Sequence, residues 1–183
     1  MKYLLIIPVL FFMLSCNSNS AQTGGEETSF KDLTFVDNDK GQSLAQKNGQ
    51  AYTGKAISLY PTGEKYMSQE YVDGRKEGEW ILWYKNGQMQ KRGATKDGKE
   101  QGKANEWYEN GQMKYDQNYV DGKKDGTWLS WYESGVKWTS RDFEKNVLNG
   151  KILVWDTLEQ LAKEYTYVNG DLIEKEMHFE KDQ

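Results

Sequence analysis

The chain has 183 residues, 37% of them hydrophobic and 28% charged, with a formal net charge of −4. That apolar share lies below the about 45–50% of an average globular domain, so a thick two-layer core is not expected, while 14% aromatics is too rich for a disordered chain. The acidic balance excludes a nucleic-acid footprint, the single Cys excludes an internal disulfide and Cys-based zinc sites, and the single His excludes a His-rich metal centre.

Residues 1–15 read as a signal peptide. Lys2 supplies the positive start, and Tyr3 to Leu14 form an apolar run of 12 residues. A bilayer core of ~30 Å needs about 20 helical residues, so this run is too short to span it. It ends at Met13-Leu14-Ser15-Cys16, which resembles a bacterial lipobox. That resemblance implies cleavage before Cys16 and acylation of Cys16. Three hydrocarbon tails would hold the protein firmly, because two or more signals anchor stably. The mature chain would then carry 23 basic and 28 acidic residues, a net −5. Lipid tails and not charge would do the holding, which places the protein in the bacterial envelope on its periplasmic or surface side. Residues 16–28 follow as the lipidated Cys and a polar, Gly/Ser/Asn-rich flexible tether.

Residues 29–53, with Leu33, Phe35 and Val36 before Asn48-Gly49, are expected to form an N-terminal cap, a degenerate hairpin. From there to residue 171 the chain repeats every 24 residues. Gly54, Gly78, Gly102, Gly126 and Gly150 form one column. Gly63, Gly87, Gly111 and Gly135 form a second, broken by Glu159; Gly74, Gly98, Gly122 and Gly170 form a third, broken by Asn146. These columns hold 13 of the 18 glycines, so composition alone does not produce them. A longer period of 48 overlies this one: residues 69–87 and 117–135 agree at 11 of 19 positions. Internal repeats of this length signal a solenoid or array.

Each unit reads as a β-hairpin. Runs rich in Trp, Tyr, Val and Ile alternate with two kinds of turn, Asn86-Gly87 and its equivalents, and Asp73-Gly74 and its equivalents. Both dipeptides suit type I′ turns, in which the two central residues have φ > 0. Five hairpins predict about ten antiparallel strands in an elongated single-layer sheet, on the order of 50 Å long at roughly 4.8 Å per strand. The fold class is therefore all-β and solenoid-like. Residues 172–183 are expected to be a last strand or tail.

Aromatics keep the same register. Trp83, Trp107, Trp131 and Trp155 form one column, and Tyr84, Tyr108 and Tyr132 the next. These seven residues are the candidate binding surface, because Trp and Tyr dominate binding hot spots. The competing reading makes them the packing that joins neighbouring hairpins. A further column, Ala56, Trp80, Ala104, Trp128 and Ile152, alternates in size and reads as structural packing, each Trp lying across a small neighbour.

The pattern Gly78-x-Trp80-x-x-Trp83-Tyr84-x-x-Gly87, repeated as Gly126-x-Trp128-x-x-Trp131-Tyr132-x-x-Gly135, resembles the variant MORN repeat, over residues 50–170. The resemblance implies a non-enzymatic repeat module without catalytic residues, cofactor or metal. Proteins with this array are often described as antitoxins of the YwqK type, so it implies a protein partner, a toxin among the candidates. An anchored form would suit immunity against a toxin arriving from outside. The MORN name also implies membrane contact, which leaves an envelope structural or lipid-contacting role as an alternative. Choline-binding cell-wall repeats are similar aromatic hairpins, but with a period nearer 20 and an adjacent Gly-Trp pair; they keep glycan binding as a third reading.

No nucleophile elbow, phosphate loop or second His accompanies His178. Arg75, Lys76, Lys99, Lys123 and Lys124 are expected along one edge, with Glu77, Glu100 and Asp125 beside them as a mixed solubilising rim.

Overall fold

A computed structural model describes residues 27–178. The signal peptide, Cys16, most of the tether and residues 179–183 lie outside the described residues.

The N-terminal part comprises β1 (Glu27–Ser29), a 3₁₀ turn (Phe30–Asp32), β2 (Thr34–Asp37), β3 (Ser43–Lys47) and β4 (Gln50–Ala51). The hairpins follow. They are β5 (Gly54–Leu59) with β6 (Lys65–Val72), and β7 (Arg75–Trp83) with β8 (Met89–Lys96). In the next two units the first strand is interrupted. The third has β9 (Lys99–Glu100), β10 (Gly102–Trp107) and β11 (Met113–Val120), and the fourth has β12 (Lys123–Lys124), β13 (Gly126–Trp131) and β14 (Lys137–Glu144). The fifth joins β15 (Val147–Trp155) to β16 (Leu161–Val168), and β17 (Asp171–Met177) closes the order.

These elements form one 14-stranded sheet in sequence order from β5 to β17, and a separate three-stranded sheet β2-β3-β4. The long sheet is antiparallel except at its first edge, where β1 pairs parallel to β5, Thr28 opposite Ala56. The expected elongated single-layer sheet of consecutive hairpins is what the structure contains.

The two kinds of turn differ. At the Asp-Gly turns both central residues have positive φ, as at Asp73 (47°) and Gly74 (79°). This is the type I′ geometry, whose twist matches that of the flanking strands. Where the Gly column is broken, Asn146 adopts the same conformation at φ 77°. The turns at Asn86-Gly87 and Asn110-Gly111 depart from expectation, since of the dipeptide only the Gly is left-handed, as at Gly87 (84°), whereas at Asn169-Gly170 both residues are. Gly87 N–H donates to the Tyr84 carbonyl at 2.9 Å, and Tyr84 N–H to the Gln88 carbonyl at 2.8 Å. The loop therefore has three residues, an ordinary turn followed by one left-handed residue. Asn86 Oδ1 instead accepts the Gln88 N–H at 2.9 Å, which steadies the loop.

Hydrogen bonds tie each unit to the next at a fixed offset. The N–H groups of Gly98, Gly122, Asn146 and Gly170 donate at 2.9 Å to the carbonyls of Lys76, Glu100, Lys124 and Leu148. Beside them, a side-chain oxygen accepts the preceding N–H: Glu77 from Asp97, Gln101 from Asp121, and Asn149 from Asn169. The backbone at these turns is thus partnered, as a lightly covered sheet requires.

Among the described residues, only the N-terminal end has a compact core. Leu33, Ala45, Tyr52, Ala56 and Tyr71 are buried together, with Phe30 packed against them. The small sheet docks there through the Ala45 N–H, which donates to the Gly74 carbonyl at 2.7 Å. Further along, most apolar side chains are only half-buried.

Candidate functional site

The Tyr column is a structural tie. Tyr60, Tyr84 and Tyr108 donate their hydroxyls to the carbonyls of Trp83, Trp107 and Trp131, each in the following unit, at 2.8, 2.8 and 2.9 Å. A buried phenol needs such a partner, and the carbonyl supplies it without disturbing the ladder. Tyr132 packs its ring against Trp138, the centroids 5.7 Å apart. The rings are therefore fixed, while the hydroxyls of Tyr84 and Tyr108 are already engaged.

The Trp column is different. Strand register sets Trp83, Trp107, Trp131 and Trp155 opposite Met89, Met113, Lys137 and Leu161. Trp131 and Trp155 line one open groove of about 320 Å³ together with Gly135, Lys137 and Glu159. Lys137 Nζ lies 4.9 Å from the centre of the Trp155 ring, a cation–π contact. Trp107 lines a second groove, of about 270 Å³, with Gln88, Met89 and Gly111. The structure thus brings Trp131 and Trp155 into one groove, places Trp107 in another, and leaves Trp83 outside both. Met89 and Lys137 are surface members that the sequence reading missed. Their own column of Lys65, Met89, Met113, Lys137 and Leu161 repeats every 24 residues and carried the signal.

Between these grooves the surface is charged. Glu106 receives both Lys91 Nζ at 2.8 Å and Lys114 Nζ at 2.9 Å. Lys114 also lies 5.3 Å from the ring centres of Tyr108 and Tyr115. The hydrogen bond to Glu106 holds the Lys114 ammonium above the ordinary lysine pKa.

The size-alternating column packs as structure, with one correction to its neighbours. The small residue opposite Trp80 is Gly93, in direct register. A Cβ there would lie 2.6 Å from the Trp80 ring, so no larger residue fits without displacement. Trp128 lies between Tyr119 and Phe143, with centroids at 5.1 and 5.2 Å, and its Nε1–H donates to the Asn118 carbonyl at 3.0 Å. Lys124 Nζ sits over the same ring at 4.6 Å.

His178 lies at the far edge of the sheet. Its ring and the carboxylates of Glu164 and Glu176 have atoms within 4.8 Å of one another. Glu164 is already paired with Lys151, and His178 and Glu176 are exposed, so this trio is a surface ion-pair cluster.

A family model described as the MORN repeat variant matches residues 76–97 and 100–121. The first stretch covers β7 to β8 and the second β9 to β11, so each matched repeat is one hairpin of the long sheet. That family is a repeat module and not an enzyme class. Among curated proteins, none matches the chain.

Proposed function

We propose that the protein is a non-enzymatic, membrane-anchored module that binds a partner protein along its Trp-lined edge. The observation that carries the reading is the groove shared by Trp131 and Trp155, two half-exposed indoles with Lys137 and Glu159 at their rim. Rigid aromatic anchors lose little freedom on binding, and Trp is the commonest hot-spot residue. The hydroxyl tie from Tyr108 to the Trp131 carbonyl supports such rigidity. Attachment would come from acylation at Cys16, and a toxin entering the envelope is the partner that the repeat resemblance suggests.

The test is affinity capture from detergent-solubilised envelopes, comparing the native protein with Trp131→Ala/Trp155→Ala. A stoichiometric partner that the double variant loses is expected; equal capture by both proteins, or none by the native one, overturns the reading. Incorporation of a clickable palmitate, abolished in Cys16→Ser, is the expected result for the anchor. Glycan binding would show instead as Trp fluorescence quenching on titration with envelope glycans.

A further inference from the structure

The small sheet and the long sheet meet at the turn edge and enclose a cleft of about 420 Å³. Lys40 lines one wall, Arg75, Lys76 and Lys99 the other, and Asp97 is the sole carboxylate among the lining residues. Arg75 engages that carboxylate at 3.6 Å, Nη1 to Oδ1, and both side chains are largely exposed. Lys40, Lys76 and Lys99 make no ion pair among the described residues. Lysines on the sheet faces do pair, as Lys55 with Glu70 and Lys103 with Asp116.

The sequence reading expects a mixed rim here. Two of its acids, Glu77 and Glu100, do not line the cleft. Glu77, next to Lys76, turns its Oε2 onto the Asp97 N–H at 2.7 Å. Glu100, next to Lys99, is half-buried, and burial raises its carboxyl pKa. The cations stay at the surface. The cleft is also fixed in shape, since Gln42 Nε2 donates to the Asp97 carbonyl at 3.4 Å and Ala45 N–H to the Gly74 carbonyl at 2.7 Å.

We infer that this cleft binds an acidic, extended peptide segment. Four cations against the Asp97 carboxylate, with Glu77 held behind it on the Asp97 N–H, still leave a local excess of positive charge on a chain whose net charge is −4. Long-range charge therefore repels an acidic ligand, and attraction arises only where the cations converge. The lining comes from both sheets and includes Leu44, so the cations surround a recess that an extended chain can enter. The site is separate from the Trp grooves and does not depend on them.

The experiment uses the full chain, purified in detergent, with a fluorescein-labelled hexaglutamate peptide as probe and anisotropy as readout at low salt. Saturable binding is expected. Lys76→Ala/Lys99→Ala should weaken it roughly tenfold, about the sum of two exposed ion pairs, with the thermal melt unchanged. Lys85→Ala/Lys123→Ala, equal in charge but outside the cleft, should leave it intact. Absence of saturable binding, or equal loss in the two double variants, overturns the inference. So does flotation with phosphatidylglycerol vesicles that depends on Lys76 and Lys99 while the peptide fails to bind, which would make the cleft a lipid contact.

Discussion

The hydroxyl of Tyr84 donates to the carbonyl of Trp107, 2.8 Å away and one unit further along the array. The same bond recurs between Tyr60 and Trp83 and between Tyr108 and Trp131. One residue type thus seals these three junctions while the indole beside it stays half-exposed. Tyr84→Phe keeps the ring and removes the bond. Stability should fall by about 0.5–1.5 kcal/mol, read from the urea midpoint, while partner capture through Trp131 and Trp155 is unchanged. An unaltered midpoint would show the tie to be energetically idle.

Gly93 is held small by Trp80. Gly93→Ala should destabilise the protein by about 1–3 kcal/mol through overpacking and change the near-ultraviolet circular dichroism of the indoles. The same substitution in a Trp80→Leu background should be nearly silent. Equal effects in both backgrounds would locate the constraint in the backbone and not the ring.

Glu159 stands where four other units have Gly, and it adopts a left-handed φ of 63°. For an ordinary L-residue that conformation costs about 1–2 kcal/mol. Glu159→Gly should therefore raise the melting temperature. Asn146→Gly should raise it less, because Asn tolerates φ > 0 better than Glu does. The reverse order of gains would contradict this account.

Tyr71 and Tyr119 have phenol pKa values pushed up to about 12, in each case chiefly by burial. A phenol whose folded value exceeds its unfolded value stabilises the fold fully below about pH 10. That contribution is lost as pH rises from about 10 to 12, where the unfolded chain ionises first. Phenolate absorbance should show a late component near pH 12 that Tyr71→Phe and Tyr119→Phe remove, with stability declining from about pH 10. Glu100 has its carboxyl raised by burial, so it favours folding when protonated and opposes it once ionised. Glu100→Gln should stabilise the protein near pH 7, give little gain near pH 4, and lower the Tyr119 pKa, which the Glu100 charge helps to raise. A gain independent of pH would separate the effect from ionisation.

Much of the sheet was legible because Gly and aromatic columns at one period leave few alternatives to stacked hairpins. The Asp-Gly turns were readable for the same reason, as both central residues must be left-handed. The turn at Asn86-Gly87 and its equivalents was not: the dipeptide is alike, but the hydrogen bond from Gly87 N–H to the Tyr84 carbonyl lengthens the loop by one residue. The parallel strand β1 left no trace in Glu27-Thr28-Ser29, since three polar residues carry no periodicity and pair only because the β5 edge is available. The Tyr column was half legible. Sequence shows that a ring recurs, and only coordinates show that its hydroxyl is already committed to the backbone. Gly93 lies outside the glycine columns, so its role emerged from register alone.

Each hairpin of the array pairs its strands with the adjoining one, and tyrosine hydroxyls and turn amides add ties between the same neighbours. Length is consequently a free variable. A gene that duplicates or deletes a whole 24-residue segment changes the span by two strand widths, roughly 9.6 Å, and leaves every remaining junction chemically the same. Such a scaffold changes its reach by counting units, with no redesign of either end.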